Sequence, residues 1–159
     1  MISVKANKQI LILGIGNTIR GDDGVGIYLA RKLRRILPRR FEIRESAAGG
    51  FDLLEAISGY DKVILIDAIQ TANAEPGQVY HFLLQNFQGS LRLSCSHSLG
   101  LRQVMEVGRK LMGESMPEVE VLAVEAKRLN DFSETLSPEL EEQFDDLVET
   151  VRAEIDKEN

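Results

Sequence analysis

Gln9 to Ile15 is an almost wholly apolar run that leads directly into a glycine-studded turn, Gly14-Ile15-Gly16-Asn17-Thr18-Ile19-Arg20-Gly21-Asp22-Asp23-Gly24-Val25-Gly26. A strand without polar alternation has to be covered on both faces, which places it at the centre of a parallel sheet. A glycine-rich turn after a first strand usually cradles a phosphate, because backbone N–H groups and a helix N-terminus welcome negative charge. Here two aspartates, Asp22 and Asp23, stand near that position. Paired carboxylates invite a cation, and the question is whether they hold one or merely cap a helix.

The rest of the chain alternates in kind. Val25, Ile27, Leu29, Ala30, Leu33, Ile36 and Leu37 recur at helical spacing from Asp23 to Leu37, with Pro38 as the stop. Phe41 to Arg44 reads as a second strand, followed by the Ala47-Ala48-Gly49-Gly50 turn and a short helix from Phe51 to Ser58. Lys62 to Ala68 is a third buried strand with Asp67 at its carboxyl end, and Pro76-Gly77 precedes an amphipathic strand from Gln78 to Leu84. Gln85 to Ser96 reads as an irregular loop, Leu99 to Met112 as a helix and Glu118 to Val124 as the last strand. Ser137-Pro138 then opens a terminal helix, a cap-type residue followed by proline at the first helical position. Strands alternating with helices predict an α/β fold, a three-layer α/β/α sandwich on a mostly parallel, twisted five-stranded sheet. The connection before Gln78 is too brief for a crossover helix, so that strand is expected as an antiparallel edge. At 159 residues the chain suits a single domain, with residues 1–8 expected as a flexible segment.

Several function classes are disfavoured. No segment approaches the ~20 apolar residues needed to span a bilayer, so no membrane partner is expected. Residues 1–9 are too polar to open a signal peptide, and the expected location is the cytoplasm. A formal charge of −6 argues against a nucleic-acid partner. Arg31, Lys32, Arg34, Arg35, Arg39 and Arg40 do cluster, but as the solvated face and C-terminal end of the first helix. The single cysteine, Cys95, rules out an internal disulfide and a multi-cysteine zinc site.

In open sheets of this kind ligands bind beyond the carboxyl ends of the strands, at the switch point. The Asp22–Asp23 pair, Asp67 and His97 are the ligand-type residues expected there. Two carboxylates and an imidazole suit nickel or zinc better than magnesium, which prefers oxygen ligands and water. The plainer readings are that one acid caps the first helix, that Asp67 is a turn residue and that His97 is a loop residue without chemistry. His81 reads as an ordinary edge-strand residue and Cys95 as a buried thiol.

Gly14-Ile15-Gly16-Asn17 followed by Gly21-Asp22-Asp23-Gly24-Val25-Gly26 resembles the N-terminal signature of the NiFe-hydrogenase maturation endopeptidases. Ala48-Gly49-Gly50-Phe51-Asp52-Leu53-Leu54, Asp67-Ala68 with Pro76-Gly77, and Ser96-His97-Ser98-Leu99-Gly100-Leu101 resemble three further segments of that family, in order, from about residue 10 to 105. The resemblance implies a metal-site triad of Asp23, Asp67 and His97, with Asp23 where some members carry glutamate. It also implies a peptidase that cuts a C-terminal extension from a hydrogenase large-subunit precursor after nickel insertion. Nickel would then arrive with the substrate, and zinc or cadmium could occupy the site in vitro.

Two rivals remain. A dinucleotide-binding enzyme would use Gly14-Ile15-Gly16 and Glu45, but Ile19 stands where the third glycine belongs and the acids would repel a pyrophosphate. A receiver-type phospho-acceptor switch would use the acidic pair, Asp67 as acceptor and Lys127 after the last strand, and leaves His97 without a role.

Overall fold

A computed structural model describes residues 8–47, 49–72, 74–86 and 101–157, and the backbone of 92–93. In chain order the strands and helices are β1 (Ile10–Ile15), α1 (Val25–Ile36), β2 (Phe41–Ser46), α2 (Asp52–Ile57), β3 (Lys62–Gln70), β4 (Val79–Leu83), β5 (Arg92–Leu93), α3 (Leu101–Met112), β6 (Glu118–Glu125), α4 (Pro138–Glu142) and α5 (Phe144–Asp156). The main sheet runs β2-β1-β3-β6-β4, with β4 antiparallel to β6 and the other neighbours parallel. This is the expected architecture, antiparallel edge included.

Alternation along the strands sorts the core into two layers. Leu11, Leu13 and Ile15 of β1 and Val63, Leu65 and Ile69 of β3 pack with Leu53, Leu54 and Ile57 of α2 and Leu101, Val104 and Met105 of α3. Ile12, Ile64, Ile66 and Ala68 face the other way, onto Val25, Leu29 and Leu33 of α1 and Leu147, Val148, Val151 and Ile155 of α5. A chain that leaves β1 over one face and returns to β3 over the other puts its topological switch between β1 and β3.

Three local departures have physical causes. The Gln85–Ser96 region is not wholly irregular: Arg92 and Leu93 form β5, antiparallel to Gln70 and Ile69. The pairing of β1 with β3 ends at Gly14 and Ile66, and β5 takes up the edge of β3 beyond it. Asp67 therefore lies three residues before the end of β3 rather than at it, opposite Ala123 of β6. The terminal helix breaks at Gln143, whose Nε2 donates to the carbonyls of Glu139 (2.7 Å) and Pro76 (2.8 Å) and so anchors the break to the turn before β4.

Candidate functional site

The turn after β1 is held against the sheet at close range. Gly16 has φ +150°, and a Cβ there would fall 1.9 Å from the carbonyl oxygen of Asp23. At Gly26, in the first turn of α1, a Cβ would lie 2.4 Å from the carbonyl oxygen of Ile15 and 2.3 Å from that of Ile66. The start of α1 thus rests directly on the carboxyl ends of β1 and β3. The two acids sit just before it, in a 3-10 turn over Gly21–Gly24 that packs against β3.

The expectation that one acid caps the first helix is not met, since Gly24 holds the cap position without a side-chain bond. Asp22, fully buried, instead reaches across to the segment after β6. Its Oδ1 accepts from the amide of Ser137 (2.6 Å), the residue that opens α4. Its Oδ2 accepts from the amides of Arg128 (3.1 Å) and Lys127 (3.4 Å). Further backbone bonds, Gly21 N–H to Ser133 O, Asp22 N–H to Arg128 O and Ser133 N–H to Ile19 O, fasten the same two segments together.

Asp23 is different. It is 4% exposed, and among the described residues its buried Oδ1 has no hydrogen-bond partner. Burying a carboxylate oxygen without a donor is costly, and a native structure that does so calls for a reason. Asp67 is 1% exposed, and its Oδ1 accepts from the amide of Ala68 at 2.8 Å. By alternation it shares the sheet face of Leu65 and Ile69, beneath α2 and α3.

Asp23 and Asp67 are thus both buried at the carboxyl ends of the two strands that flank the switch. His97 and Cys95 lie outside the described residues. The chain on either side of His97 is described: β5 runs from Gln70 toward Ile69 as it enters that stretch, and α3 leaves it at Leu101. Among the described residues no three histidine, cysteine or acidic side chains are grouped as a metal site.

One acid escaped the sequence reading. Glu125 at the end of β6 is 2% exposed and accepts from Thr71 through both oxygens, N–H to Oε1 at 2.8 Å and Oγ–H to Oε2 at 2.9 Å. It fixes the turn that leaves β3. The residue type was visible, but a carboxylate at the end of a strand gives no hint of a partner more than fifty residues away in sequence. Glu45, the ribose-binding candidate of the dinucleotide reading, is held by Arg31 (3.0 Å) and Arg34 (3.1 Å) of α1. His81 joins two carboxylates on β6 and α5, toward the other end of the strands.

Comparison with known proteins gives a consistent picture. The family model described as hydrogenase maturation protease matches residues 27–154. A putative hydrogenase maturation protease of Methanocaldococcus jannaschii is 30% identical over 156 residues, covering 94% of this chain and 98% of the relative. The hydrogenase 2 maturation protease of Escherichia coli is 28% identical over 148 residues, covering 91% and 89%. Among solved structures, the hydrogenase maturating endopeptidase HybD from E. coli superposes with a TM-score of 0.74 at 25% identity, covering 95% of this chain and 94% of that one.

Proposed function

The chain belongs to the hydrogenase maturation protease family, and we propose that it removes the C-terminal extension of a NiFe-hydrogenase large-subunit precursor once nickel has been inserted. The observation that carries this reading is the buried, unpartnered Oδ1 of Asp23 on a turn packed against β3, the strand of buried Asp67. A carboxylate oxygen kept without a donor is already desolvated, so an incoming cation has no hydrogen bond to displace at Oδ1. Asp23, Asp67 and His97 are the residues assigned to meet the nickel.

Nickel belongs to the substrate in this account. Two carboxylates and an imidazole add oxygen and nitrogen ligands to an ion that substrate thiolates already hold, and the preference of imidazole for such ions sets the selectivity. Binding thereby tests whether the precursor is loaded. In the cleavage step water adds to the scissile carbonyl, its proton passes to a carboxylate or the amine, and the C–N bond breaks to release the extension. A carboxylate acting as general base, or the nickel polarising the water, is the working hypothesis for activating that water.

The phospho-acceptor alternative needs both acids of the pair for a cation. Asp22 is engaged by three backbone amides, which leaves Asp23 alone. Purified precursor loaded with nickel, incubated with wild type and with Asp67→Asn and His97→Ala, tests the reading. Both variants should lose processing by at least about 100-fold. Wild-type rates in either would make the assigned site wrong.

A further inference from the structure

Phe132 is 92% exposed and Ile19 is 49% exposed, yet neither sits on a loose loop. Ile19 O accepts from the Ser133 amide (3.1 Å), and Ser133 O accepts from the Gly21 amide (2.8 Å). The resulting parallel bridge pairs Arg20 with Ser133, so Ile19 and Phe132 precede it at matching positions. On the flanks, Tyr28 Oη donates to the carbonyl of Glu134 (2.7 Å) and lies 3.3 Å from that of Thr18, and Arg20 Nη2 donates to Asn130 Oδ1. An aromatic and a branched aliphatic side chain are therefore held in water on a backbone fixed from several directions. Large, rigid apolar groups presented in this way are the anchors of protein interfaces, where polar neighbours form the rim.

The same backbone carries the site. Gly21, which donates to Ser133, is followed by Asp22, which grips residues 127, 128 and 137, and then by Asp23. The patch is thus continuous with the segment that sets the unpartnered carboxylate. Leu111 offers a contrast: it is 75% exposed but lies near the far end of α3, next to the chain that enters β6 at its amino end.

We propose that Ile19 and Phe132 form a docking patch that receives an apolar surface of the folded precursor beside the segment to be cut. This rests on the function proposed above, whose substrate is a whole protein that must be held while one bond reaches the carboxylates. Arg20, Asn130 and Arg128 supply the polar surround, and Phe132 is the anchor.

Steady-state processing of nickel-loaded precursor, measured for wild type, Phe132→Glu, Ile19→Glu and Leu111→Glu, tests the patch. Phe132→Glu should raise KM by about tenfold or more and Ile19→Glu by less, with kcat and the thermal midpoint unchanged. Phe132→Leu should recover most of the loss, and Leu111→Glu should behave as wild type. The patch is overturned if KM is unchanged in both Phe132→Glu and Ile19→Glu, if kcat falls instead, or if Leu111→Glu raises KM equally. Wild type failing to cut the precursor would overturn the proposed function and the patch with it, whereas normal cutting by wild type and by both patch variants would remove the patch alone.

Discussion

Asp22 commits both carboxylate oxygens to the amides of Lys127, Arg128 and Ser137, so alanine there leaves buried N–H groups with nothing to bond. At about 1 kcal/mol or more for each orphaned donor, Asp22→Ala should cost about 3 kcal/mol, read by urea denaturation. Asp23 should behave in the opposite sense. Its Oδ1 has no donor to lose, and Asp23→Asn removes a buried charge, so stability should hold or rise by up to about 1 kcal/mol while processing of loaded precursor is lost. A large loss of stability in Asp23→Asn would mean that this residue, too, is structural. The division between the acids was partly legible in the sequence, because one acid suffices for a local structural role and leaves its neighbour free. The partners of Asp22 were not, since they lie more than a hundred residues away and carry no side-chain signature.

Strands β4 and β6 and helix α5 meet at a charged cluster that periodicity could not reveal. His81 reads in the sequence as an edge-strand residue, but its Nδ1 faces Glu154 (2.9 Å) and its Nε2 faces Glu120 (2.6 Å). Lys62 Nζ completes the cluster at 2.7 Å from Glu120 and 3.2 Å from Glu118, and Lys157 Nζ lies 2.6 Å from Glu154. Burial opposes a charge on the ring, but the hydrogen bonds that the protonated ring donates to Glu154 and Glu120, together with their charges, outweigh it, and the His81 pKa is raised above 6.5. A raised histidine pKa contributes stability that is complete below the unfolded value and is lost as pH rises through the folded one. His81→Ala should therefore cost about 1 kcal/mol at pH 6, and the deficit should shrink as pH climbs past the raised pKa. Thermal midpoints of both proteins across pH 6 to 9 check this, and a deficit independent of pH would assign His81 to packing alone. Elements with strong local periodicity, such as β1, β3 and α1, were legible from the sequence. The two-residue β5 and the break at Gln143 were not, because each depends on a non-local partner, the freed edge of β3 in one case and the carbonyl of Pro76 in the other.

Across the whole molecule, the strand order puts the switch between β1 and β3, while alternating strands and helices with a single short Pro-Gly connection imply a mostly parallel sheet with one antiparallel edge. Sheet, layers and antiparallel edge were accordingly legible before any coordinate. The fold also explains why acids distant in sequence lie at the same end of the sheet: β3 carries Asp67 to the carboxyl side, and the close seat of Gly26 draws the turn with Asp23 onto the same strand ends. We propose that this end reads nickel within the precursor rather than holding a metal of its own. The most direct test is the cleavage rate of one purified precursor, prepared with and without nickel, by metal-free enzyme. The account predicts release of the extension from the loaded precursor only, and equal cleavage of the nickel-free form would contradict it.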